Sequence, residues 1–196
     1  MTGLDPAVDE LVEIAVIVTD SNLVPLAPGI DVVIKPSAAA LAQMGDFVTQ
    51  MHIESRLLEV LDEGVPVREA EQTVLRYVRS FVAEPGLAPV AGNSVGQDVR
   101  FLRAYMPELV AHLHYRIIDV STVKELAKRW YPRVHACAPE KLGGHRALGD
   151  IQDSIVELEY YRRALFPAEL DPEKGVYCRL GETVAAEMQS CFADED

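Results

Sequence analysis

Between residues 145 and 165, apolar side chains fall at Leu148, Ile151, Ile155, Leu158 and Leu165. This three-and-four spacing predicts an amphipathic helix packing one stripe on a core. Gly143 and Gly144 stop any helix arriving from upstream, so His145 is expected in a loop or first turn, with Asp150 about one turn inside. Leu11 to Thr19 is rich in β-branched residues and predicts a strand. Asp20-Ser21-Asn22 is turn chemistry, and Leu23 to Lys35 predicts a second strand interrupted near Pro28-Gly29. The pair reads as a hairpin, and a run as apolar as Leu11 to Val18 calls for a neighbour on each side.

Further along, Leu41, Met44, Phe47, Val48 and Met51 are spaced for short helices broken near Gly45. Pro66 suits the first turn of a structural helix striped by Val67, Ala70, Val74, Tyr77, Val78 and Phe81, ending before Pro85-Gly86. Ala88 to Asp98 runs from a short buried strand through a Gly and Asn loop into a helix that Asp98 opens. Tyr115 to Val120 predicts another strand, Thr122-Val-Lys-Glu125 a capping box for a helix reaching Trp130, and Tyr131 to Gly144 a long loop. Strands early, then strand and helix in alternation, imply an α/β domain with a mixed sheet flanked by helices. Gly3, Asp5 and Pro6 form a turn preceded only by Met1 and Thr2, a turn connected to nothing.

Composition narrows the classes. With 196 residues, 49% of them hydrophobic, the chain can bury one good core, expected over residues 1–166. Residues 167–196 hold eight Asp or Glu against two Lys or Arg, which predicts a flexible acidic tail with a short helix at Glu182 to Met188. No run of 18 apolar residues and no basic, apolar leader is seen, so no membrane span or secretion signal is expected. Cys137, Cys178 and Cys191 are odd in number and lack Cys-x-x-Cys spacing, which fits a reducing cytoplasm. A net charge of −13 is the wrong sign for holding long nucleic acid by phosphate neutralisation, yet leaves room for a few nucleotides bound through a divalent cation.

Asp98 and Asp150 each lie at the head of a helix, and open α/β sheets place chemistry where strands hand over to helices. With His145 they suit metal-assisted phosphodiester hydrolysis, in which cations clamp the attacking and leaving oxygens and a neutral imidazole takes a proton from water. Two carboxylates are too few for two metals. Residue chemistry alone stops there, with a satisfied surface aspartate and a helix-start histidine as the plainer reading.

The sequence resembles the oligoribonucleases, exonucleases named for four acidic residues and a histidine on a ribonuclease H-like fold. The resemblance rests on Met-Thr-Gly-Leu-Asp-Pro at 1–6, Glu-Ile-Ala at 13–15, Gly-Asn-Ser-Val-Gly-Gln-Asp at 92–98, His-Tyr-Arg-Ile-Ile-Asp-Val-Ser-Thr-Val-Lys-Glu-Leu at 114–126, and His-Arg-Ala-Leu-Gly-Asp at 145–150. It implies a homodimer that cleaves RNA of a few nucleotides, down to dinucleotides, from the 3′ end to 5′-mononucleotides with Mg2+ or Mn2+. By the same resemblance, Asp98 and Asp150 are two of the four metal-binding acids and His145 is the general base. Leu4 wedges between the bases, Phe47 replaces the aromatic residue that packs beside them, and His52 matches a site position. Ser94, Arg116 and Ser121 match groups closing over the 5′ phosphate. Tyr115 and Arg116 lie in the segment a partner supplies, with Tyr115 counted among the catalytic groups.

The resemblance also implies an Asp-x-Glu strand directly before Met-Thr-Gly-Leu, and the printed chain begins at that Met. The expectation is therefore a fold lacking its first strand and two metal ligands, and a chain that hydrolyses poorly. Gly144 and Gly149 stand where the family usually has threonine and alanine. The rival from another class is an inactive dimeric module that binds dinucleotides. A nuclease acting on long DNA fits the acidic surface less well.

Overall fold

A computed structural model describes residues 1–141, 144, 146–166, 177–179 and 181–185. The chain divides into two compact units, Met1–Tyr161 and Arg162–Asp196. In the second, residues 181–185 are helical, overlapping the expected stretch at 182–185, and residues 186–188 of that stretch lie outside the described residues.

The first unit opens with the expected hairpin. Strand β1 (Glu13–Val16) pairs antiparallel with β2 (Ile30–Val33), Glu13 opposite Val33 and Val16 opposite Ile30. The Asp20 carboxylate closes the turn by accepting from the amides of Asn22 and Val24 at 2.8 and 2.9 Å, the local side-chain bonding that makes Asp a turn former. Beyond the strand, the Ile34 amide donates to the Val12 carbonyl at 2.9 Å. Antiparallel ladders alternate, so Val12, Ile14 and Val16 direct their backbone groups at β2, and Glu13, Ala15 and Ile17 direct theirs at the opposite edge.

Short helices α1 (Ala38–Ala42) and α2 (Asp46–Glu54) follow, with Gly45 capping the second. Next come a 3-10 turn at Leu58–Glu63 and helix α3 (Val67–Phe81), which buries Ala70, Val74, Leu75 and Val78. Strand β3 (Val90–Gly92) pairs in parallel with β4 (Ile117–Asp119). Their crossover contains α4 (Gly96–Tyr105) and α5 (Pro107–His112). Leu11, Ile34, Val74, Phe101, Met106 and Leu109 form the main core. Each such side chain contributes roughly 1.5–3 kcal/mol by leaving water.

Among the described residues, the mixed sheet is two separate two-stranded sheets, one antiparallel and one parallel. The outward edge of β1 and strand β3 line one cavity of about 1390 Å3. Helix α6 (Val120–Trp130) starts before the Thr122 capping box because the Asp119 carboxylate caps it instead, accepting from the Ser121 amide at 2.9 Å. The loop from Tyr131 contains helix α7 (Pro132–Ala136), started by a proline whose fixed φ suits a first turn.

The last helix, α8 (Ala147–Leu165), has the predicted span, but its buried residues are Ser154, Glu157 and Tyr161. Ile151, Ile155 and Leu158 of the apolar stripe line the cavity instead. Glu157 tolerates burial because Lys124 reaches it at 3.0 Å, pairing a charge that would otherwise be costly to desolvate.

Candidate active site

Asp98 and Asp150 are brought to the lining of one large cavity by two helix starts. The first follows β3 through the loop at 93–95, and the second is the first turn of α8. Both carboxylates line the 1390 Å3 cavity, together with His52, Asn93 and Gly144. Asp98 is half-buried, and burial pushes its carboxyl above the usual range, with the Asp119 charge acting in the same direction. Asp150 sits on the exposed side of its turn, and its amide donates to the Arg146 carbonyl at 3.0 Å. His145 lies outside the described residues. The flanking Gly144 has φ +62, a left-handed conformation that a threonine would adopt only with strain.

The loop after β3 forms a compact polar cluster. Ser94, itself at φ 54, presents its amide to the Asp119 carboxylate at 2.9 Å and to the Ser121 hydroxyl at 3.0 Å. The Ser94 and Ser121 hydroxyl oxygens are 3.2 Å apart. Ser121 donates to the Asn93 side-chain carbonyl at 3.2 Å, and the Asn93 amide donates to Ser154 of α8 at 3.0 Å. Ser154 in turn donates to the Asp150 carbonyl at 2.8 Å. One chain of contacts thus connects the two serines with the turn bearing Asp150.

The remaining predicted residues divide. Leu4 is 72% exposed, and its carbonyl accepts from the Gln97 side chain, which ties its loop to α4 one residue before Asp98. Phe47 is 82% exposed on α2. His52 is buried, with one ring nitrogen 2.9 Å from the Met1 carbonyl, and burial lowers its pKa. Tyr115 is 75% exposed; its ring stacks on His114 at 4.5 Å, and the Arg116 guanidinium lies 5.3 Å from its centroid. Leu4, Phe47, Ser94, Tyr115, Arg116 and Ser121 are not among the residues lining the cavity.

The Exonuclease family model matches residues 1–158. The chain is 58% identical over 172 residues to the "Oligoribonuclease" of Leifsonia xyli subsp. xyli, covering 88% of this chain and 83% of that protein. It is 55% identical over 173 residues to the "Oligoribonuclease" of Streptomyces griseus, covering 88% and 86%. With that of Streptomyces avermitilis the identity is 52% over 186 residues, covering 95% and 91%. The chain belongs to the oligoribonuclease family. Its α/β architecture, small sheets flanked by helices, is that of the ribonuclease H-like exonucleases.

The oligoribonuclease family is one of hydrolytic exoribonucleases, and exonucleases of this class generally depend on divalent cations. Asp98 and Asp150 suit such a cation as hard oxygen donors on a shared cavity, and a cation beside Asp98 would offset the desolvation that raises its pKa. The fit is partial: among the described residues no group of three or more His, Cys, Asp or Glu is placed to hold a metal ion. No described helix is long and apolar enough to cross a membrane.

Sequence reasoning quoted Glu13 and Asn93 within motifs and gave them no role. Asn93 joins three elements, and Glu13 is buried beneath the start of α8. The available signal was a carboxylate inside an apolar strand, since a charge in such a run needs a partner.

Proposed function

We propose that this chain is a 3′-to-5′ exoribonuclease for very short RNA, above all dinucleotides, releasing 5′-mononucleotides with Mg2+ or Mn2+. In this reading residues 1–166 form the exonuclease domain, residues 167–196 an acidic tail, and the protein works in the cytoplasm as a homodimer. The observation that carries it is the placement of Asp98 and Asp150 on one cavity, connected through Asn93 and Ser154 to the paired hydroxyls of Ser94 and Ser121.

Asp98 and Asp150 would hold the cation, which when bound stabilises charge on the scissile phosphate and makes water a better nucleophile. His145, neutral, accepts a proton from the attacking water. Ser94 and Ser121 bind the 5′ phosphate of the substrate, so a longer chain has nowhere to continue. Leu4 and Phe47 present exposed apolar surface for bases to pack against, and His52 supports the Met1 end of the site from below. Tyr115 and Arg116, away from this cavity, serve the site of the partner subunit.

Two carboxylates hold a divalent cation weakly. Turnover of a 5′-phosphorylated diribonucleotide is therefore expected to need Mn2+ at high concentration and to be lost in Asp150→Asn. Turnover by that variant at the parent's rate would defeat the assignment.

The scarcity of metal donors among the described residues favours one second reading, a non-catalytic dimeric module that binds dinucleotides. Calorimetry with and without Mn2+ separates the two, because tight binding independent of metal belongs to the module.

A further inference from the structure

The Glu13 side chain is 4% exposed, yet no step of the proposed reaction uses it. It stands on β1 with both carboxylate oxygens engaged by the chain around the start of α8. One oxygen accepts from the Arg146 Nε at 2.7 Å and lies 2.5 Å from its Nη2, a paired contact to the guanidinium. The other accepts from the Ala147 amide at 2.8 Å. Arg146 also reaches Asp31 of β2 at 3.5 Å.

The first amides of a helix lack intrahelical partners, and here a carboxylate from a strand satisfies one of them. Charge-assisted bonds to a planar guanidinium fix direction as well as distance. The Arg146 carbonyl then accepts from the Asp150 amide at 3.0 Å. Three successive contacts therefore run from the hairpin to the backbone of Asp150.

We infer that Glu13, acting with Arg146, is a positioning residue that fixes the first turn of α8 on the β1–β2 hairpin and thereby sets the place of the Asp150 carboxylate. The inference rests on the proposed role of Asp150 but not on any contact between Glu13 and substrate. A second buried ion pair on the same helix, Glu157 with Lys124, provides the contrast: it is buried equally well and lies about two turns further along α8.

The test compares Glu13→Gln with Glu157→Gln, first in metal-free, substrate-free protein by amide hydrogen exchange followed by NMR. Glu13→Gln should speed exchange of the Ala147 and Asp150 amides by at least about tenfold, whereas Glu157→Gln should leave those two amides as they were. Unchanged exchange in Glu13→Gln, or equal acceleration in both variants, overturns the inference whether or not the proposed reaction is correct. In the form that turns over dinucleotide, Glu13→Gln should lower kcat by about 10- to 100-fold with KM unchanged, the range found when groups supporting a metal ligand are removed. Faster exchange with an unchanged kcat would overturn the link to Asp150. Arg146→Lys keeps the charge and loses the paired geometry; it should act in the same direction more weakly, and it replaces Glu13→Gln if that variant does not fold.

Discussion

Replacing Ser121 by alanine tests the phosphate-binding reading. The Ser121 hydroxyl has one proton, now donated to Asn93 at 3.2 Å. To bind a phosphate it must turn that proton outward, giving up a neutral hydrogen bond worth about 1 kcal/mol for a charge-assisted one worth about 1.5–3 kcal/mol. The net gain is roughly 0.5–2 kcal/mol, so Ser121→Ala should weaken binding of a 5′-phosphorylated diribonucleotide by about 2- to 30-fold. The fold should survive, because the Ser94 amide keeps its second acceptor on Asp119 at 2.9 Å. The measurement is calorimetric Kd for two ligands, one bearing a 5′ phosphate and one a 5′ hydroxyl. The unphosphorylated ligand should bind the variant and the parent within about twofold, the two having no phosphate bond to lose. An equal loss for both ligands would show that Ser121 shapes the loop instead of touching phosphate.

Phe47→Ala should leave stability within about 0.5 kcal/mol, since the ring is already exposed, and weaken dinucleotide binding by about 1–3 kcal/mol if a base stacks there; unaltered affinity would remove the ring from the site. Asp98→Asn should raise the urea midpoint at neutral pH while abolishing metal-dependent hydrolysis. A carboxyl whose folded pKa is raised stabilises the fold below its unfolded pKa and loses that contribution as pH rises through the folded value; a variant less stable than its parent at neutral pH would contradict this. His52 has the opposite sense, its folded pKa lying below the unfolded value of about 6.5. Its contribution is complete above that value and falls as the solution is acidified, so His52→Gln should flatten the decline in urea midpoint between neutral and mildly acidic pH. Parallel declines in variant and parent would refute the assignment.

Elements were legible where local chemistry decides them: the Asp20 turn, Gly45 and Pro66 at helix starts, and the stripe of α3 all lie where composition puts them. The exceptions involve competition or distance. Thr122 and Asp119 are both good caps, and only the fold decides that the carboxylate closes α6. Glu157 falls on the inner face of α8 because lysines of remote segments meet it there, and a hydrophobicity pattern ranks any glutamate as outward. Glu13 and Arg146 are 133 residues apart, so their pairing has no local signal. Of the candidate site, Asp98 and Asp150 were legible as helix-head carboxylates and the serines only as parts of family motifs. The Asn93 relay between them was not visible, because it depends on three elements meeting.

The backbone groups of Glu13, Ala15 and Ile17 face away from β2. Among the described residues each sheet has two strands, and the open edge of β1 borders the cavity that carries Asp98 and Asp150, a ready template for another chain's extended segment. Concentrating this polypeptide should therefore favour self-association through intermolecular strand addition, and a short apolar peptide supplied in excess should keep it dispersed by occupying the same hydrogen-bonding groups first.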